Sequence, residues 1–286
     1  MNYATLISGE ELQSLIANDV PLMVFDCSFD LSKPLAGDQQ FAESHIPGAV
    51  RASLDLHLSA HDALDTASGG RHPLPTREDF AAWLSSVGFS NKMQAVVYDR
   101  QGANYCGRLW WMLKWAGHEN VALLDGGLEA WHEAGGVVTS GPPTKHKATK
   151  FTLSPERAVL TTAADVLNNL GRPRQTLVDA RATARFRGDV EPLDPVAGHI
   201  PGALNRPFAQ NMGANGKFKS PAELRNEFTT LLAGRDPASV VHHCGSGVSA
   251  VPNIIAMEVA GLGRSALYAG SWSDWSSDPS RPFAKS

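Results

Sequence analysis

The sequence has little of what marks several large classes of protein. Only three of its 286 residues are cysteine, with no paired spacing, which argues against a disulfide framework or a zinc site. The formal net charge is −4 and the lysines are scattered, so nothing favours nucleic acid as a partner. No apolar run reaches membrane-spanning length, and the N-terminus lacks the pattern of a secretory signal. We expect a cytoplasmic protein with no membrane contact, no metal and no organic cofactor.

The chain instead contains an internal repeat. The segment His-Ile-Pro-Gly-Ala occurs at 45–49 and again at 199–203, and a turn that begins with glycine and leads to tryptophan occurs at 126–131 and at 270–275. In each copy, short apolar runs typical of buried strands alternate with runs of helical spacing. This order predicts an α/β fold with an open, mostly parallel sheet, helices on both faces, and ligands at the carboxyl ends of the strands.

Two tandem domains follow from the repeat. We place the first at residues 1–140, a linker rich in Pro, Thr and Lys at 141–153, and the second domain at 154–286. Local signals agree with this division, because Ser8 and Ser220 both have the spacing of a capping box and Thr76 precedes a helical run. These residues predict three helix starts.

One cysteine lies at a special place in the second copy. Cys244 follows the strand-like run 239–241 and precedes a helical run that ends at Gly261. Gly245 and Gly247 permit a turn whose successive N–H groups point into one concavity, which holds anions. The same field lowers a cysteine pKa, and the thiolate is the reactive form. The pattern therefore predicts a nucleophile at Cys244.

Two other roles for Cys244 are compatible with part of this pattern. A buried cysteine can be inert core filler, but the flanking glycines argue against that role. A cysteine phosphatase needs an arginine six positions after the cysteine to clamp phosphoryl oxygens. Here that position is Ala250, which argues against a phosphatase.

The repeat also separates scaffold from chemistry. Three pairs of residues occur in both copies, and we interpret them as structural: Asp26 and Asp179, His45 and His199, Trp131 and Trp275. Aligned without gaps, Arg100 of the first copy faces Cys244 of the second. Only the second copy is then expected to be catalytic.

The two copies, their shared turns and the loop Cys244-Gly-Ser-Gly-Val-Ser249 resemble the tandem rhodanese-type sulfurtransferases. Within that family the loop is similar to the Cys-Gly-Ser-Gly-Val-Thr of the 3-mercaptopyruvate sulfurtransferases, and it lacks the cations that thiosulfate-specific relatives carry at Gly245 and Ser246. The resemblance implies substrate binding by Arg185 and by the loop residues Gly245, Gly247, Val248 and Ser249. It also implies a hydroxyl-imidazole-carboxylate relay of Ser246, His72 and Asp55, at an interface of the two domains.

The chain departs from that branch at Leu193, where a second substrate arginine often follows Glu-Pro. Leucine cannot replace the planar fork of arginine. We expect 3-mercaptopyruvate to remain the better donor with a high KM, and Leu193→Arg to lower that KM.

The resemblance implies transfer of a sulfane sulfur from 3-mercaptopyruvate through a Cys244 persulfide to a thiol such as thioredoxin or to cyanide. Two alternatives remain open from the sequence. One is a thiosulfate sulfurtransferase, and the other is a sulfur-carrying or sensing module that serves a dedicated protein partner.

Overall fold

The computed structural model of the protein describes residues 2–61 and 64–286. Its chain forms two compact units. The first comprises residues 1–60, 75–157 and 214–217, and the second comprises 61–74, 158–213 and 218–286. The segment 61–74, which carries His72, therefore packs within the second unit although it precedes much of the first in the chain.

The first unit is built on a five-stranded parallel sheet in the order β1-β5-β4-β2-β3. Its strands are β1 (Leu6–Ile7), β2 (Leu22–Asp26), β3 (Val50–Arg51), β4 (Gln94–Tyr98) and β5 (Val121–Leu124). Its helices are α1 (Gly9–Ala17), α2 (Ala36–Glu43), α3 (Arg77–Ser86), α4 (Cys106–Trp115) and α5 (Gly127–Glu133). The central strands β4 and β5 are buried throughout, as expected for a parallel sheet covered by helices.

The second unit repeats this plan with the order β6-β10-β9-β7-β8, again parallel. Its strands are β6 (Val159–Thr161), β7 (Thr176–Asp179), β8 (Leu204–Asn205), β9 (Val240–His243) and β10 (Ala266–Tyr268). Its helices are α6 (Ala163–Asn168), α7 (Thr183–Arg187), α8 (Pro221–Leu232), α9 (Val251–Val259) and α10 (Ser271–Trp275). The predicted duplicated α/β fold is confirmed.

The helix starts predicted from the sequence are also present. Ser8 and Ser220 each accept the N–H of the glutamate three residues on, and that glutamate accepts the N–H of the serine. Thr76 accepts the N–H of Asp79 at the start of α3. Sequence reasoning missed the helices α2, α6 and α7 and the two- and three-residue strands β1, β3, β6, β8 and β10, because such short elements carry no apolar period.

The two His-Ile-Pro-Gly-Ala turns are scaffold, as predicted. His45 stacks on Phe41 with ring centroids 3.9 Å apart, and its Nδ1 lies 2.7 Å from the carbonyl oxygen of that residue. His199 repeats both contacts with Phe186, at 3.9 and 2.8 Å. The same contacts hold the turn ahead of β3 in the first unit and the turn ahead of β8 in the second. Because they occur in both units, they have a structural role and not a catalytic role of one unit.

The predicted linker is packed against the first unit. Residues 141–157 form no helix or strand, yet Thr149 donates its N–H to the carbonyl of Ser85 and Phe151 donates to the Ser85 hydroxyl.

None of the helices in the described part of the chain combines the length and apolar character needed to cross a bilayer.

Candidate functional site

Cys244 immediately follows β9, at the carboxyl end of a strand that lies between β10 and β7. Strand β9 is buried at every residue, and Cys244 itself is 2% exposed. Helix α9 begins at Val251 after the turn 244–250. The strand-turn-helix arrangement predicted around the cysteine is therefore present.

The backbone of the turn is held by the connection from β10 to α10. Ser271 accepts the Cys244 N–H at 3.0 Å and donates its hydroxyl to the carbonyl of Tyr268 at 2.9 Å. Cys244 and Gly245 in turn accept N–H groups from residues 272 and 273, at 3.0 and 2.9 Å. Ser271 has a φ of +57°, a left-handed conformation that serine rarely adopts. The serine that fixes the cysteine backbone is thus also a strained residue.

Gly247 is required by the fold of the turn. Its φ is +74°, and a Cβ at this position would lie 2.1 Å from the carbonyl oxygen of Ala269. The turn packs so tightly on the β10 connection that no side chain fits there.

Several N–H groups of the turn are available to a ligand. Across the described chain, no acceptor takes a hydrogen bond from the N–H of Gly245, Ser246, Val248 or Ser249. Unpaired N–H groups on consecutive residues ahead of a helix form an anion-binding concavity. This is the arrangement expected from the two glycines of the turn.

The equivalent turn of the first unit is filled by its own side chain. The carboxylate of Asp99 accepts the N–H groups of Gln101 and Ala103 through Oδ1, at 2.9 and 3.1 Å, and those of Tyr105 and Cys106 through Oδ2, at 2.8 and 2.9 Å. An internal anion occupies this concavity. The first unit therefore has neither a nucleophile nor a vacant anion site at this place.

The gapless alignment of the two copies was wrong by one residue. In the sheets, Tyr98 pairs with Asp26 while His243 pairs with Asp179, so the residue that corresponds to Cys244 is Asp99 and not Arg100. Strand pairing fixes the register where sequence similarity is weak. The inference that the first copy lacks a cysteine nucleophile is unchanged.

The other two cysteines are buried thiols in the first unit. All three cysteines are free thiols in the structure. Burial raises the pKa of Cys27 and of Cys106 well above the ordinary value, and nearby carboxylates, Asp26 and Asp99 respectively, act in the same direction. Both remain protonated and unreactive at neutral pH.

Two members of the predicted relay meet in the second unit. Nδ1 of His72 lies 2.7 Å from Oγ of Ser246, and both residues are buried. The ring of His61 approaches that of His72 edge-on, with centroids 5.8 Å apart. Asp55 belongs to the first unit, and its place in the relay stays a prediction.

Two arginines lie beside the turn. A Cβ built on Gly245 would lie 3.3 Å from Nη2 of Arg71 and 3.5 Å from Nη1 of Arg185. Both guanidinium groups also bind Asp194, with Arg71 Nη1 at 2.7 Å from Oδ1 and Arg185 Nη2 at 3.0 Å from Oδ2. Arg185 also binds Glu191 at 2.6 Å. Arg185, which the sequence predicts to bind substrate, therefore has a second cation beside it in Arg71, although position 193 is leucine.

The family model of the rhodanese-like domain matches residues 8–134 and again 162–278. The chain belongs to the rhodanese-like family.

Other members of the rhodanese-like family match nearly the whole chain. A Pseudomonas aeruginosa protein named a probable 3-mercaptopyruvate sulfurtransferase is 42% identical over 99% of both chains. The thiosulfate sulfurtransferase of Bos taurus is 34% identical over 96% of this chain and 92% of its own. The structure of the 3-mercaptopyruvate sulfurtransferase from Leishmania major superposes with a TM-score of 0.80 at 31% identity, covering 96% of this chain and 74% of that one.

Within this rhodanese-like chain, sequence reasoning missed three residues of the site: Arg71, Asp194 and Ser271. Arg71 directly precedes the predicted relay histidine, and Asp194 directly follows Leu193, so both lay next to residues already singled out. Ser271 corresponds to Gly127, which has a φ of +60° in the first unit. A glycine in one copy facing a serine in the other was the available signal for a residue with a special backbone conformation.

Proposed function

We propose that the chain is a sulfurtransferase that takes sulfur from 3-mercaptopyruvate through a persulfide on Cys244. The observation that carries the proposal is the position of Cys244 in a turn with unpaired N–H groups, beside two guanidinium groups. The Cys244 thiolate attacks the donor sulfur, and the carbon–sulfur bond breaks with its electron pair going to the pyruvate enolate. Loop N–H groups, including those of Gly245 and Ser249, stabilise charge on the transferred sulfur.

The two arginines give the donor carboxylate its binding site. Arg71 Nη2 and Arg185 Nη1 both face Gly245, next to the nucleophile. Two guanidinium groups at this distance bind a carboxylate by charge-assisted hydrogen bonds. Arg71 then supplies the second cation that Leu193 does not, and this replaces the expectation of a high KM for 3-mercaptopyruvate.

The contact between Ser246 and His72 supports a role in proton transfer. The departing enolate carbon must acquire a proton to become pyruvate, and a hydroxyl held 2.7 Å from an imidazole can relay one. Asp55 would orient the imidazole, as the family resemblance implies. Each of the three is a catalytic residue only if removing it slows persulfide formation.

The second half-reaction returns the enzyme to its starting state. A thiol such as that of thioredoxin, or cyanide, attacks the outer sulfur of the persulfide and releases the Cys244 thiolate. Neither step needs a metal or an organic cofactor, since each moves a sulfur atom between two nucleophiles. A cytoplasmic location stays a prediction from the sequence.

Thiosulfate is the second candidate donor, because the Bos taurus relative is named for it. Thiosulfate would lose sulfite in place of the enolate and would need no proton from the relay. Arg185→Ala should damage use of both donors, because both are anions.

The two donors are best compared side by side by steady-state kinetics with cyanide as acceptor. We expect a higher kcat/KM with 3-mercaptopyruvate, and loss of that preference in Ser246→Ala. A wild-type preference for thiosulfate would overturn the choice of donor and leave sulfur transfer by Cys244 standing. Slow turnover with both donors, accelerated by a protein acceptor, would favour the sulfur-carrier alternative.

A further inference from the structure

Asp194 is a buried carboxylate, its side chain 2% exposed, placed between two arginines of the candidate site. Each of its oxygens binds a different guanidinium group, Oδ1 that of Arg71 and Oδ2 that of Arg185. Its own backbone N–H donates to Glu191 at 3.2 Å, which fixes where the carboxylate points. Asp194 therefore links two residues that are 114 positions apart in the chain.

The guanidinium nitrogens nearest Gly245 are not the ones that Asp194 binds. Asp194 binds Arg71 Nη1 and Arg185 Nη2, whereas a Cβ built on Gly245 lies nearest to Arg71 Nη2, at 3.3 Å, and Arg185 Nη1, at 3.5 Å, with Arg185 Nη2 at 3.8 Å. No described residue accepts a hydrogen bond from either nitrogen that faces Gly245. The carboxylate thus orients both arginines and leaves one edge of each for a ligand.

The charges of this cluster cancel. Arg181 binds Asp179 through two nitrogens and also reaches Glu191, so the arginines at 71, 181 and 185 are matched by carboxylates at 179, 191 and 194. A neutral cluster can bind one carboxylate by hydrogen bonds without a strong field that favours higher charge. Loss of Asp194 would leave one uncompensated positive charge beside the nucleophile.

We propose that Asp194 is a positioning residue that sets donor selectivity, holding the two arginines in register for a monoanionic carboxylate and suppressing use of a dianionic donor. This inference rests on the proposed function for its choice of donors. At an effective dielectric constant of about 40, between that of a protein surface and that of bulk water, one added charge acting at about 6–7 Å changes the attraction for each further unit of ligand charge by about tenfold. Asp194→Asn should therefore raise the ratio of kcat/KM for thiosulfate to that for 3-mercaptopyruvate by about tenfold. KM for 3-mercaptopyruvate should rise more than its kcat falls, because the arginines lose their alignment.

A readout independent of any sulfur donor is alkylation of Cys244 by iodoacetate, an anion, against iodoacetamide, which is neutral. Asp194→Asn should raise the ratio of these two rate constants by about tenfold. The matched control is Asp189→Asn, which removes the same charge from an exposed pair with Arg187 and should leave both ratios within about twofold of wild type. Equal effects of the two variants, or no change in Asp194→Asn, would overturn the proposal.

A measurement on the wild-type protein covers the case in which Asp194→Asn fails to fold. If the cluster is neutral, the iodoacetate to iodoacetamide ratio should change less than about twofold between low and high ionic strength. A steep fall of that ratio with salt would reveal a strong positive field and contradict the proposal. If the alkylation ratios behave as expected but neither donor is turned over, the proposed function fails and the role of Asp194 stands.

Discussion

Replacing Ser271 by glycine and by alanine separates its hydroxyl from its backbone. Both variants remove the acceptor of the Cys244 N–H, which lies at 3.0 Å in a fully buried site. A buried N–H without a partner costs about 1–3 kcal/mol of stability. Only alanine keeps a Cβ at a φ of +57°, and a non-glycine residue in that conformation costs about 1 kcal/mol. The free energy of unfolding of Ser271→Gly should therefore be about 1 kcal/mol higher than that of Ser271→Ala. Both variants should be less stable than wild type.

Their activities should be alike although their stabilities differ. Without the hydroxyl, the Cys244 backbone loses one of the hydrogen bonds that fix the nucleophile, and small misplacements slow reactions by roughly tenfold to a hundredfold. Urea unfolding gives the stabilities, and stopped-flow persulfide formation gives the rates. If alanine proved at least as stable as glycine, or if the two rates differed by more than about threefold, the assignment of separate roles to hydroxyl and backbone would be refuted.

Three further predictions concern the relay, the arginines and the half-buried His57. Ser246→Ala and His72→Ala should each slow persulfide formation from 3-mercaptopyruvate by about 100-fold to 10,000-fold, with a double variant no slower than the worse single one; additive effects would separate the two residues. Arg71→Ala should raise KM for 3-mercaptopyruvate by roughly tenfold to a hundredfold, and Leu193→Arg should change it less than about fivefold. A larger effect of Leu193→Arg than of Arg71→Ala would instead support the expectation from the sequence that Leu193 causes a high KM. Burial lowers the pKa of His57 to about 4, so the unfolded chain takes up a proton at this histidine more readily than the folded one. The stability that this difference contributes is fully present above pH 6.5 and is lost as the pH falls towards 4. Over that range the free energy of unfolding should fall by about 3 kcal/mol more in wild type than in His57→Gln, and equal slopes in urea titrations would contradict this.

What the sequence could predict was local or repeated. The capping boxes at Ser8 and Ser220 act over three residues, so their signal lies entirely within the segment that folds. The turn at Cys244 was visible because a buried strand, two glycines and a helix follow one another in the chain. The repeat also helped, because equivalent positions such as His45 and His199 make the same contact in both units.

What the sequence could not predict depends on long-range contacts or on backbone conformation. Arg71 and Asp194 are 123 residues apart and meet only because the segment 61–74 packs within the second unit. Ser271 has an ordinary side chain in an unusual backbone conformation, which residue type alone does not reveal. Asp99 was missed because the register of β4 is set by its pairing with β2 and not by similarity to β9.

The most direct test of the account is the site of the transferred sulfur. The intact protein should gain the mass of one sulfur atom after brief treatment with 3-mercaptopyruvate, and peptide mapping should place that sulfur on Cys244. Cys244→Ser should gain none and should be inactive, while Cys27→Ser and Cys106→Ser should gain it as wild type does. Sulfur found on Cys106, or full activity in Cys244→Ser, would contradict the account.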